Sequence, residues 1–138
     1  MILVYYHSRM NVKASRLHKW KQRLTAYERV HRELAGQIAE LGFMHEGTVA
    51  RQRLTCGKSS CVCHSDPQRR HGPYFYWTAK VKGRTVSRLL TKEEVDLYEE
   101  WIRNRRRFRA IQRKMLALAK KAAPVAVKIR RAGSAEPG

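Results

Sequence analysis

From Leu17 to Leu41 the apolar residues fall in steps of three and four, and that spacing constrains the fold more than any other feature of the chain. Leu17, Trp20, Leu24, Tyr27, Leu34, Ile38 and Leu41 form one seam, with His31 inside its one seven-residue step. A period near 3.5 residues lays an apolar stripe along one side of a helix, and a second helix is the natural cover for it. The same spacing returns in Val95, Tyr98, Ile102, Arg105, Phe108, Ile111, Met115, Leu118 and Ala122. Gly42 is placed to cap the end of the first helix. Thr91-Lys92-Glu93-Glu94 opens the second as a capping box, and Pro124 is expected to end it.

Between the seams the helical period disappears. Thr48 to Thr55 reads as a strand. Tyr74-Phe75-Tyr76-Trp77-Thr78-Ala79-Lys80-Val81 is rich in strand-forming aromatic and β-branched residues, Lys82-Gly83 supplies a two-residue turn, and Arg84 to Leu90 returns as the second arm of a hairpin. The expected class is α+β: two long helices, packed antiparallel, bracketing a small zinc-stapled antiparallel β unit of two or three strands. One domain is expected, divided into a helix over 12–42, a Cys-rich β unit over 43–90, a basic helix over 91–123 and a flexible basic tail over 124–138. Residues 1–11 are expected to be a disordered or non-native leader, with Met10 the alternative start to Met1. The opening apolar run is too short for a signal peptide, and no stretch reaches the roughly 18 apolar residues that span a bilayer. A cytoplasmic location without membrane contact is therefore expected.

A reducing cytoplasm disfavours disulfides, so the odd set Cys56, Cys61 and Cys63 reads as a metal site. Three thiolates and one imidazole are a standard donor set for structural zinc. Two residues compete for the fourth position. His64 directly follows Cys63, and neighbours in an extended chain point apart, which makes His71 the rival. Lys58, Arg69 and Arg70 favour thiolate over thiol. The alternatives are three reduced cysteines without metal, or one catalytic cysteine with a histidine base, which would not need the other two thiols.

The run Cys56-Gly57-Lys58-Ser59-Ser60-Cys61-Val62-Cys63-His64, followed by His71-Gly72-Pro73-Tyr74 with Trp77 and then by Lys80 to Leu89, resembles the signature of a widespread family of short basic bacterial proteins, a domain of unknown function. The likeness runs from about Leu41 to Ala122 and includes Trp101 to Arg107. It implies the domain's extent and a bacterial origin, and carries no activity with it.

Charge directs the functional reading. Thirty Lys and Arg against eleven Asp and Glu leave +19 on 138 residues, and such an excess calls for a polyanion. Twelve of those cations and no acid lie between Trp101 and Arg131. At helical spacing Arg106, Arg109, Arg113 and Lys120 form one stripe, with Arg103, Arg107, Lys114 and Lys121 beside it. A merely solvated helix face normally mixes signs. Arginine suits bidentate contact with phosphate or base edges. Tyr74, Tyr76 and Trp77 are candidates for stacking on unpaired bases, or else for the core of the β unit. The expected function is a zinc-stabilised protein that binds DNA or RNA, accessory to a mobile element or RNA-associated. The alternative is a coiled-coil module, homodimeric through its seams, that binds an acidic partner. No catalytic residues are assigned: Glu93, Glu94, Asp96, Glu99 and Glu100 gather at one helix start, where capping and the helix dipole account for them, and Asp66 stands alone.

Overall fold

The computed structural model describes residues 2–134. Their order is α1 (Ile2–Ala39), β1 (Thr48–Leu54), two short 3-10 turns (Val62–His64 and Pro67–Arg69), β2 (His71–Val81), β3 (Arg84–Leu89) and α2 (Lys92–Ser134). The α+β class expected from the sequence is the class observed. The chain divides into two units: one holds α1 with α2 from Arg109 onward, the other is Leu41–Phe108.

In the helical unit the predicted seams are the residues that leave solvent. On α1, Leu17, Trp20, Leu24, Tyr27 and Ile38 are half-buried and Leu34 is buried. On α2, Ile111 is buried at 7% exposure, with Met115, Leu118 and Ala122 half-buried; Val125, beyond the predicted seam, is buried at 6%. The Lys128 ammonium lies 5.7 Å from the centroid of the Trp20 ring, a cation–π contact that sets the late part of α2 beside α1, as antiparallel packing requires. His31 does not belong to the seam. It is exposed, and the seven-residue step passes under it.

Three boundaries differ from the sequence reading. Helix α1 begins at Ile2 rather than near residue 12, because nothing between Tyr5 and Val12 interrupts a helix. It ends at Ala39, so Gly42 is no C-cap; a Cβ there would stand 3.3 Å from Asn104 Nδ2, and the residue serves close approach instead. Helix α2 passes through Pro124 to Ser134. Proline costs a helix one hydrogen bond, but Val125, Ala126 and Ile129 carry the covered stripe beyond it. The tail expected from residue 124 is helical as far as Ser134, and residues 135–138 lie outside the described ones.

In the second unit the strands form one antiparallel sheet in the order β1-β2-β3. Lys82 (φ 50°) and Gly83 (φ 78°) make the predicted hairpin turn, both in the left-handed region that matches strand twist. The capping box of α2 is complete: the Glu94 amide donates to Thr91 Oγ1 at 3.3 Å, and the Thr91 amide donates to the Glu94 carboxylate at 2.8 Å. That amide and then the Arg88 guanidinium hold the Glu94 carboxyl below its ordinary pKa. The contribution is therefore present above the ordinary carboxylate range and lost as acid protonates the folded state.

An aromatic cluster joins sheet to helix within this unit. The His45 ring stands 5.2 Å from Trp77 and 5.0 Å from Tyr98, and Tyr98 is 5.3 Å from Trp101. The His45 amide donates to the Trp101 carbonyl at 3.1 Å, the Trp77 indole N–H to the Glu46 carbonyl at 2.8 Å, and the Asn104 side-chain amide to the Phe43 carbonyl at 2.9 Å. Gly47 lets the backbone pass so close: at φ 97°, a Cβ would fall 2.5 Å from both the Thr78 oxygen and the Trp77 indole nitrogen.

The buried seam sets the first test. Ile111→Asp should destabilise the protein by about 3–5 kcal/mol, since it removes apolar burial and leaves a carboxylate without a partner. Urea unfolding followed by circular dichroism measures the loss. An unchanged unfolding midpoint, with a dimer turned into monomers, would mean that the seam faces a second copy.

Candidate functional site

The three cysteines and one histidine converge. The ligand atoms of Cys56, Cys61, Cys63 and His71 all lie within 4.8 Å of one another, and the three thiols are free. Local backbone explains how. Cys61 donates its amide to the Lys58 carbonyl at 3.0 Å, closing a turn after Cys56. Cys63 then sits in the 3-10 turn Val62–His64 and is buried to 1% exposure. A 3-10 helix has three residues per turn, so when Cys63 points into the cluster the next side chain must point out of it. His64 accordingly turns away, and its Nε2 donates to the Cys56 carbonyl at 2.9 Å. It is not a ligand.

His71 arrives by a different route. Gln52 pairs with Tyr74 but Leu54 pairs with His71, so the β1–β2 ladder gains a residue at Gly72-Pro73. Such a bulge re-aims the next side chain. It sets His71 opposite Leu54, two residues before Cys56, and its Nε2 comes 3.5 Å from Cys61 Sγ. Asp66 stays outside the cluster and shapes the loop, where its side chain accepts the Gln68 amide at 3.0 Å and pairs with Arg69 at 3.6 Å.

The thiols are electrostatically unequal. The Cys63 amide, then the His71 imidazole and the other two thiols, lower Cys61 to about 6. At Cys63 the Cys56 amide, which donates to its sulfur at 3.3 Å, pulls downward, but burial and the neighbouring sulfurs outweigh it and the net shift is upward. The cluster thus favours the thiolate at Cys61 and the protonated thiol at Cys63.

The spacings fit one tetrahedral ion. Bonds of about 2.3 Å to sulfur and 2.0–2.1 Å to nitrogen place two sulfurs about 3.8 Å apart, and a sulfur and nitrogen about 3.6 Å apart. The observed Cys63–Cys56 and Cys61–His71 distances are 3.6 and 3.5 Å. Four protein donors close such a sphere, leaving no position for a reacting water.

The other sequence-predicted residues separate into two groups. Arg103, Arg106, Arg107, Arg109, Arg113, Lys114, Lys120 and Lys121 are all exposed on α2, and none of these side chains makes a hydrogen bond or ion pair among the described residues. Arg105 falls on the seam and is half-buried. Of the three stacking candidates, Trp77 is committed to the aromatic cluster and the Glu46 carbonyl, and is no platform. Tyr74 is exposed at 38% and Tyr76 half-buried, both on the opposite sheet face from Trp77. His45 and Asn104 were not legible, because both owe their roles to partners far along the chain.

Removal of either Cys61 or His71 ligation should abolish metal binding, measured by metal analysis of purified protein. Cys61→Ser and His71→Ala should lose the ion, His64→Ala should keep it, and affinity should fall on acidification because protons compete for thiolate and imidazole. Metal retained by His71→Ala but lost by His64→Ala would reverse the ligand assignment.

Comparison with curated proteins and with solved structures returns no match. No helix among the described residues is long and apolar enough to cross a membrane. The sequence model of one family matches residues 24–104, more than half of the chain, with the cysteine cluster, the sheet and the first part of α2 inside the match. The chain belongs to the family described as a domain of unknown function, DUF6788.

Proposed function

We propose that this protein is a zinc-stabilised nucleic-acid-binding protein and not an enzyme. The observation that carries the reading is the exposed side of α2, where eight cations stand unpaired among the described residues while Ile102, Ile111 and Val125 of the same helix are buried. Packing needs only the seam. No described acid compensates the exposed charge, and counterion release from a phosphate backbone supplies the free energy that such a face can gain. In the helical unit, Lys13, Arg16, Lys19 and Arg23 of α1 are exposed as well. With Lys128 standing over Trp20, basic residues of both helices share one region of that unit.

Zinc is the ion that the donor set favours. Soft thiolates with an imidazole in a tetrahedron select it over the oxygen-seeking cations. Its role is to hold the loop together. The depressed Cys61 thiol beside His71 has the makings of a nucleophile, but two further sulfurs converge on the same point, and a nucleophile has no use for them. The acids support the same view, since Glu94 caps a helix and pairs with Arg88, and Asp66 caps a turn.

Purified protein should contain about one zinc per chain and should retain nucleic acid at low salt. If about six to ten phosphates are neutralised, affinity should fall by roughly three to five orders of magnitude between about 50 and 200 mM salt. Arg106→Glu combined with Arg113→Glu should abolish binding and leave the circular dichroism unchanged. Tight binding that ignores salt, or that survives the double reversal, would put the contact surface elsewhere.

A further inference from the structure

The Leu41–Phe108 unit carries a cleft that neither the metal centre nor the exposed α2 cations use. Its volume is about 460 Å³, and it opens where the start of β2 meets the first turns of α2. The ladder to β3 ends at Tyr76 opposite Leu89, with the Leu90 amide donating to the Phe75 carbonyl at 2.8 Å. Tyr74 therefore has no β3 neighbour, and it forms one wall. Pro73, Phe75, Leu89, Leu90 and Val95 supply the rest of the apolar lining. Two of these residues are poorly covered for their type, Leu89 at 54% and Tyr74 at 38% exposure.

Lys92 and Asp96, both exposed, complete the lining. They stand one helical turn apart with opposite charge, the spacing at which helices usually pair such residues. Here they make no ion pair with each other or with any other described residue. A cleft with an aromatic wall, aliphatic sides, one unpaired ammonium and one unpaired carboxylate suits a flat, amphipathic ligand that carries both an anion and a hydrogen-bond donor.

We propose that this cleft takes one unpaired nucleobase, so that the ligand is single-stranded nucleic acid; the proposal rests on the nucleic-acid reading above. The base stacks on Tyr74 against the aliphatic wall, Lys92 meets the adjoining phosphate, and the Asp96 carboxylate accepts from an exocyclic amino group. Adenine, cytosine and guanine carry that group. Thymine and uracil do not, and they present an acceptor that the carboxylate repels. A duplex hides its bases in the stack and cannot fill the cleft.

The test uses the full-length zinc-loaded protein with short homopolymeric oligonucleotides. Adenine and cytosine strands, as DNA and as RNA, are compared with thymine and uracil strands and with a duplex of equal length. Equal affinity for the DNA and RNA forms means that the sugar is not read; a difference assigns the preferred sugar, and the base ranking decides the proposal in either case. Adenine and cytosine strands should bind about tenfold or more tightly than thymine or uracil strands, a hydrogen bond to a charged group being lost in the latter. Asp96→Ala should erase that ratio. Tyr74→Ala should weaken single strands by about five- to a hundredfold and leave the duplex unchanged. Should Tyr74→Ala fail to fold, Leu89→Glu at the exposed wall should give the same selective loss. If the double arginine reversal abolishes binding while these cleft variants change no ratio, the cleft proposal is overturned and the nucleic-acid reading stands; a cleft occupied by a protein segment instead gives that result. If the unaltered protein binds no oligonucleotide, both fall together.

Discussion

The most deeply buried side chain among those described is Cys63, at 1% exposure, and its polar contacts are the Cys56 amide and two other sulfurs. Much of the Leu41–Phe108 unit depends on that arrangement. Its sheet has three strands, with β3 exposed along its whole length, and its buried apolar residues are few: Ala79, Leu90, Val95 and Ile102. So small an apolar core supplies little stability of its own, and small domains commonly recover the difference with a metal. The bulge at Gly72-Pro73 and the 3-10 turn at Cys63 each sacrifice regular pairing, and both bring a donor atom to the cluster.

The aromatic cluster is the second anchor and works by different physics. Here His45, Trp77, Tyr98 and Trp101 meet at centroid distances of 5.0 to 6.4 Å. Edge-to-face and tilted rings add to the burial of their own area. The backbone of the 43–47 segment is fastened to the same place through the Trp101 carbonyl, the Asn104 amide and the Trp77 indole. Sheet, connecting segment and the first part of α2 are thereby one packed body, and the Tyr74 cleft is the gap left where β3 stops short.

Charge shapes what remains exposed. Among the described residues the ion pairs are Arg69–Asp66 and Arg88–Glu94, and both serve local geometry. The bulk of the +19 therefore faces water, where it opposes compaction. A helix such as α2 tolerates that load because its seam, Arg105 apart, is apolar: packing on one side holds the repelling charges of the other in place. The same separation leaves the arginines available to a polyanion without disturbance of the core.

What repeats locally was legible in the sequence. The 3.5-residue period named the covered positions of both helices, from Leu17 to Ala122, because helical geometry maps sequence spacing onto a face without help from the rest of the chain. The hairpin turn and the capping box were legible for the same reason, each being closed by residues within four positions. The cysteine cluster was visible by composition, but its fourth member was not. The rival, His71, stands in the cluster and His64 does not, because a bulge and a 3-10 turn, neither encoded by any period, decided which imidazole faced the sulfurs. A helix boundary read from one residue fails at Pro124, where the helix follows the burial of Val125 instead. His45, Asn104 and the withdrawal of Trp77 into the core required partners about thirty to sixty residues away. Contacts of that range form only after long stretches of chain have been brought together, so tertiary structure alone could assign them.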